Sequence, residues 1–174
     1  MSRMLVRGLL IVALVPTLAC GYALVGKGSS IPEDVRNVIV SPLVNETPRN
    51  LVDQRLTAAV TDEMVVRQRF TVVNSLDTAD ARLSGAVTRF RVIPVEFNSA
   101  GVAVRYQISI GARIDFSRTG QEEEVIWSSD HYSFREDYIV DAASEDFFNL
   151  EDLAIDFVAV EFAKTLITDL QSGF

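Results

Sequence analysis

The clearest signal in the chain is strict alternation between residues 103 and 117. Val104, Tyr106, Ile108, Ile110, Ala112, Ile114 and Phe116 fall on one side; Arg105, Gln107, Ser109, Arg113, Asp115 and Ser117 fall on the other. Side chains of a strand point alternately to its two faces, so this segment reads as a long strand with one buried and one wetted face. One-sided strands of this kind belong to antiparallel sheets covered on a single side. A second long strand is expected at 82–95, with Gly85 placed for a bulge and Pro94 near its end. Asn98-Ser99-Ala100-Gly101 is turn chemistry, which makes the two strands a hairpin. Arg118-Thr119-Gly120-Gln121 then turns the chain into a third strand at 125–134, followed by an acidic loop through Glu145.

Helical spacing occurs twice. Val52, Leu56, Ala59, Val60 and Met64 predict an amphipathic helix over 50–68, with Thr47 as its cap and Pro48 at its first position. Ile155, Val158, Phe162, Ala163, Leu166, Ile167 and Leu170 oppose Glu161, Lys164, Thr165 and Thr168, predicting a last helix over 149–171. Its first turns add Leu150, Leu153 and Phe157 on the opposite side. That apolar surplus reads either as packing under the acidic loop or as ground covered by another protein. Short strands are expected at 35–41 and 70–73. The pattern as a whole predicts an α+β fold, with two helices packed on one face of a mainly antiparallel four- to five-stranded sheet.

Ahead of these elements the pattern changes. Arg3 and Arg7 precede an apolar run at 9–15, a break at Pro16-Thr17, and the small residue Ala19 before Cys20. The run is well short of the ~20 residues that span a bilayer. Cys20 is the one cysteine, so a disulfide within the chain is excluded. This layout resembles the signal peptide and lipobox of a bacterial lipoprotein, in which cleavage precedes the cysteine and acyl chains are attached to it. A plain secretory signal with an incidental cysteine is the alternative. The expected organisation is a signal peptide at 1–19, an acylated Gly- and Ser-containing tether at 20–34, and one domain at 35–174.

Removing residues 1–19 from the 174 leaves 155, and takes the net charge from −8 to −10, because the leader holds two arginines and no acid. A chain this acidic repels nucleic acid and anionic membrane surfaces. Any anionic ligand needs a local cluster of arginines. Arg89 and Arg91 on one strand and Arg105 on the next supply the candidates, since guanidinium forks bind phosphate bidentately; salt bridging on an exposed sheet face is the plainer role. Catalytic chemistry is thin. His131 is the sole histidine and is expected on one strand face with Ser129 and Ser133. No His or Cys pair has metal-ligand spacing, and the acids of 136–146 lack the order of a calcium loop. No catalytic residue, metal or cofactor is expected.

The order of elements comes with four phrases: Cys20-Gly21-Tyr22-Ala23-Leu24, Pro42-Leu43-Val44-Asn45-Glu46-Thr47, Ala79-Asp80-Ala81-Arg82-Leu83-Ser84-Gly85-Ala86-Val87 and Arg105-Tyr106-Gln107-Ile108-Ser109-Ile110. Together they resemble the LPS-assembly lipoprotein family over essentially the whole mature chain. The resemblance implies a non-catalytic lipoprotein of the outer membrane, lipid-anchored and facing the periplasm. Its partner is implied to be the β-barrel translocon that inserts lipopolysaccharide into the outer leaflet, which it plugs and helps assemble. Lipopolysaccharide itself is a second implied contact of Arg89, Arg91 and Arg105. The 96–101 tip carries no Arg or Lys, and the 136–146 loop is acidic. The plug role therefore comes ahead of direct lipid binding, since it needs only shape and a polar face. An alternative of another kind is a lipoprotein that activates a periplasmic cell-wall synthase or belongs to a secretion channel.

Overall fold

A computed structural model describes residues 31–120, 124–140 and 147–172, with side chains of the last segment from Ala154 onward. The signal peptide, the lipobox and Leu150 and Leu153 as side chains lie outside the described residues, as does 141–146 of the acidic loop.

The alternating segment becomes the centre of a six-stranded sheet. Its strands are β1 (Asn37–Val40), β2 (Val44–Asn45), β3 (Thr71–Val72), β4 (Ala81–Phe97), β5 (Ala103–Arg118) and β6 (Val125–Ile139). They lie in the order β3-β1-β4-β5-β6, with β2 also against β4. Two helices complete the fold, α1 (Val52–Val66) and α2 (Phe147–Ser172). The β4–β5 and β5–β6 pairs are antiparallel, as the period-two pattern requires. The pairs β1–β3, β1–β4 and β2–β4 are parallel, so the sheet is mixed and has six strands. The reason lies in the connections: α1 carries the chain back between β1 and β3, and a helical crossover returns a strand in its original direction. A two-residue strand such as β2 is also too short to show any period.

Both helices pack on one face. From α1, Val52, Leu56, Val60 and Met64 are buried; from α2, Ile155, Val158, Phe162, Ala163, Leu166, Ile167 and Leu170. They meet Leu83, Val87, Ile108, Ile110, Ala112, Ile114 and Phe116 from the sheet in one continuous core. The helices lie side by side, joined by Arg55 to Asp156 at 2.8 Å and by Arg67 donating to the Thr168 hydroxyl at 3.0 Å. At Gly85 the strands approach so closely that an added Cβ would run into the Arg113 carbonyl oxygen. That residue marks a close contact, and the register there is regular; the bulge expected at Gly85 is absent.

Local chemistry moves two other boundaries. Asn45 takes over the loop before α1: its Oδ1 accepts from the Thr47 N–H and hydroxyl, and its Nδ2 donates to the Arg49 carbonyl. Thr47 in turn accepts from the Arg49 N–H, inside the loop. The helix therefore starts later, at Val52, behind Leu51 at φ 65, a left-handed conformation without a side-chain cap. β6 runs on to Ile139, so residues 135–139 expected in the acidic loop are strand.

The chain enters the domain at the end where β4 begins. Ile31 and Val35 are buried there, and Arg118 closes a fork on Asp34 at 2.7 and 3.0 Å. The hydrogen bond from Arg118 holds the Asp34 carboxyl below its ordinary 3.8. A lowered folded-state value means that this pair contributes above the ordinary aspartate range and is lost as pH falls through the lowered value. Carboxyl-detected NMR titration is expected to give Asp34 a midpoint below 3.8, moving back to about 3.8 in Arg118→Gln. An unchanged midpoint in that variant contradicts the fork.

Candidate functional site

Among the described residues nothing covers the face of β4, β5 and β6 turned away from the helices, and its cross-strand rows bring arginines together. One row reads Arg91–Ser109–Arg135, and the next Arg89–Gly111–Ser133. With strands ~4.8 Å apart, the backbones of Arg91 and Arg135 stand ~10 Å from each other across one serine. These residues line a groove of about 410 Å³, whose floor is kept low by Ser109, Gly111 and Ser133. A Cβ on Gly111 would lie 3.1 Å from the Arg89 Cβ, so glycine is what admits that close packing.

Two bulges make this arrangement. Alternation continued from Leu83 and Val87 would send Arg89 and Arg91 into the core. The register shift between Val87 and Arg89 reverses the parity, so Phe90 and Val92 lie opposite Ile110 and Ile108 while Arg89 and Arg91 are exposed. On β6 the shift between the Ala112 and Ile114 pairings does the same. Trp127 and Ser129 lie opposite Phe116 and Ile114, yet beyond the shift it is Tyr132 and Phe134 that oppose Ala112 and Ile110. His131, Ser133 and Arg135 are exposed as a result. Ser129 is thereby separated from His131 and Ser133, against the expectation that the three share a face. Both expected arginines of β4 are in the groove, and Arg135 joins them; it went unnoticed because the strand was expected to stop at Phe134.

Arg105 is not part of the groove. It sits two rows nearer the hairpin tip, opposite Ile139, with its Nε 2.8 Å from Glu96 Oε2. The hydrogen bond and charge of Glu96 raise its pKa above the ordinary arginine value. Arg113 is paired too, with Glu46 at 3.1 Å. Among the described residues, Arg89, Arg91 and Arg135 make no ion pair with another side chain. Three guanidinium groups without ion pairs thus stand over the hydroxyls of Ser109 and Ser133, and guanidinium forks are the groups that bind oxyanions bidentately. Among the described residues there is no group of three His, Cys, Asp or Glu placed to hold a metal.

The site is therefore an arginine-lined groove on the polar face of an α+β domain whose two helices lie on the other face. Residues 35–170 match the LptE family, described as lipopolysaccharide-assembly, and the chain belongs to that family. Its work therefore lies in lipopolysaccharide assembly. No curated protein matches the chain. Solved structures share the fold at low identity. Lipoprotein B of Nitrosomonas europaea is 11% identical, with 88% of this chain and 92% of that one covered at a TM-score of 0.55. A lipoprotein of Caulobacter crescentus is 17% identical over 78% and 88%, at 0.53. The rare lipoprotein B of Shewanella oneidensis is 12% identical over 79% and 96%, at 0.50.

Proposed function

We propose that this chain is a non-catalytic lipoprotein, acylated at Cys20 after removal of residues 1–19 and held at the outer membrane facing the periplasm. It plugs the β-barrel translocon that inserts lipopolysaccharide into the outer leaflet, and helps that barrel assemble. The observation that carries this reading is the polar face of β4, β5 and β6, left open among the described residues and set opposite an apolar face packed by the chain's own helices. A barrel lumen is polar and wet, and a plug for it needs such a face. The long β4–β5 hairpin favours this reading over a cell-wall synthase activator.

Affinity purification from detergent-solubilised outer membranes is expected to recover a large barrel protein in comparable amount. Recovery of cell-wall synthases or secretion components in its place would move the assignment to that class. Within the plug, the Arg89–Arg91–Arg135 groove is the contact for carboxylates of the barrel or phosphates of lipopolysaccharide, and Arg105 is a structural partner of Glu96. Reversing all three groove charges to Glu is expected to leave folding intact, since they are exposed without ion pairs. The same variant should lower recovery of the barrel, or binding of lipopolysaccharide micelles, by about tenfold or more, the scale of lost charge-assisted contacts. Unchanged binding in both assays removes the groove from the interface.

A further inference from the structure

The chain enters the domain beside a second, smaller set of charges, at the β3 edge of the sheet. Ile31 and Val35 are buried there. The Arg69 guanidinium donates to the Ile31 carbonyl at 3.4 Å and lies 5.6 Å over the Phe70 ring. The Thr71 N–H, donating to the Arg36 carbonyl at 2.8 Å, sets β3 beside the start of β1. Glu33, Val35, Arg36, Arg69 and Thr71 come to line one groove of about 440 Å³, open among the described residues, which begin at Ile31.

The charges around this groove divide into committed and uncommitted ones. Asp34 is held by the Arg118 fork, and Glu63 is paired with Arg67. The Asp80 carboxylate accepts from the backbone N–H groups of Arg36 and Asn37. Among the described residues, Glu33, Arg36 and Arg69 make no ion pair. A guanidinium has five N–H donors, so Arg69 keeps others beside the one on Ile31.

Two guanidinium groups next to one carboxylate suit a ligand that itself carries both signs. Guanidinium forks bind a phosphodiester, the Thr71 hydroxyl adds a neutral donor, and a carboxylate accepts from a primary ammonium. A wholly anionic surface is a poorer match, because Glu33 and the acidic mature chain both oppose it. Position supplies the source of the ligand. Only 11 residues, Cys20 to Ser30, separate Ile31 from the proposed acyl anchor, and at full extension they reach ~38 Å. The groove is therefore held within that distance of a layer of lipid headgroups.

Resting on the lipoprotein reading, we propose that this groove is a headgroup site for a phosphoethanolamine lipid of the leaflet that holds the anchor. Arg36 and Arg69 take the phosphodiester, and Glu33 takes the ammonium. The contact seats the domain on the membrane surface beside its own anchor.

Flotation of the full-length mature chain carrying Cys20→Ala tests this, since acyl chains would mask the contact. Vesicles of phosphatidylcholine are compared with the same vesicles containing phosphatidylethanolamine or phosphatidylglycerol. Binding is expected to the ethanolamine vesicles, about tenfold above the other two, with a constant below the ~10⁴ M⁻¹ of a single myristoyl chain. Choline offers the same phosphate, but its quaternary ammonium has no N–H for Glu33. Arg36→Gln combined with Arg69→Gln is expected to lower binding by about tenfold or more. Because Arg69 also holds the tether, Glu33→Gln is the second variant; it is expected to leave thermal unfolding unchanged and to abolish the preference for ethanolamine. Equal binding to all three vesicles overturns the inference, as does a preference that survives either variant. Displacement by free phosphoethanolamine at the concentration of the lipid also overturns it, since the ligand is then a soluble compound. Mass spectrometry of the unsubstituted mature protein separates the two readings. An unmodified Cys20 removes the anchor and the site's membrane setting together, whereas an acylated Cys20 without ethanolamine preference removes the headgroup site alone.

Discussion

Cys20→Ala is expected to move the protein from the membrane pellet to the periplasmic extract, with its fold unchanged. Among the described residues no helix is long and apolar enough to cross a membrane. The mature chain is also acidic, so an anionic surface repels it. In the proposed lipoprotein, acyl chains on Cys20 would be the main hold. One chain of myristoyl length binds membranes reversibly, at ~10⁴ M⁻¹, whereas two or more chains make a stable anchor. Replacing the acceptor removes all of them together, so the change in distribution is close to complete. It also turns encounter with a membrane partner from a tethered event into one at bulk concentration, a loss of 10² or more in effective concentration on general grounds. Carbonate-washed membranes probed for the protein, with mass spectrometry of the mature N-terminus, supply the measurement. Retention of the alanine variant on washed membranes, or an unmodified N-terminus on the unsubstituted protein, defeats the lipoprotein assignment.

The parts of the fold that sequence made legible are those where one pattern runs unbroken for several residues. The alternation through β5 and the stripe from Ile155 to Leu170 are of this kind, and every residue of that stripe named for burial is buried. What sequence concealed was each change of phase. Charge places Arg89 and Arg91 on the polar face, whereas strict parity from Leu83 and Val87 would send them inward, and the shift after Val87 reconciles the two. The same reversal near Asp130 and His131 wrongly grouped Ser129 with His131, while Arg135 was missed because the acidic residues after Phe134 concealed that the strand continues. A bulge adds one residue without a distinctive side chain, so alternation cannot show it. The parallel pairs were hidden for a different reason. They depend on which strand β1 meets after the α1 crossover, and β1, β2 and β3 are too short for their faces to declare neighbours. Ile93 and Val95 are a further case, since they read as ordinary strand yet are exposed at 39 and 43%.

Phe162→Ala is expected to lower the stability of the domain by about 3–5 kcal/mol, the usual range for truncating a fully buried phenylalanine. Phe162 is 0% exposed and joins α2 to the edge strand. Its ring meets Tyr132 edge-on at 5.6 Å and Phe134 at 6.0 Å, with interplanar angles of 83° and 90°. Each such pair adds ~0.5–1.5 kcal/mol to the area buried, and alanine removes both at once. The second clamp between α2 and β6 is the hydrogen bond from the Tyr132 hydroxyl to Asp169 at 3.0 Å. Burial, together with that carboxylate, pushes the Tyr132 pKa upward, so the phenol keeps its proton and goes on donating at neutral pH. With the ring gone, this bond is left to hold the strand against the helix. A loss of this size is a large part of a typical 5–15 kcal/mol and corresponds to a fall in Tm of about 10 °C. Thermal unfolding of the unacylated mature chain measures it, with Phe157→Ala as the control. Phe157 is 54% exposed, so its truncation should change stability by no more than about 0.5 kcal/mol. Equal effects from the two substitutions would mean that α2 faces the sheet differently from the packing described. Amide exchange should also rise first in β6, which carries Ser133 and Arg135. Loosening that strand opens the wall of the groove opposite Arg91, so a substitution buried on the helical side should also weaken the anion binding proposed for the other face.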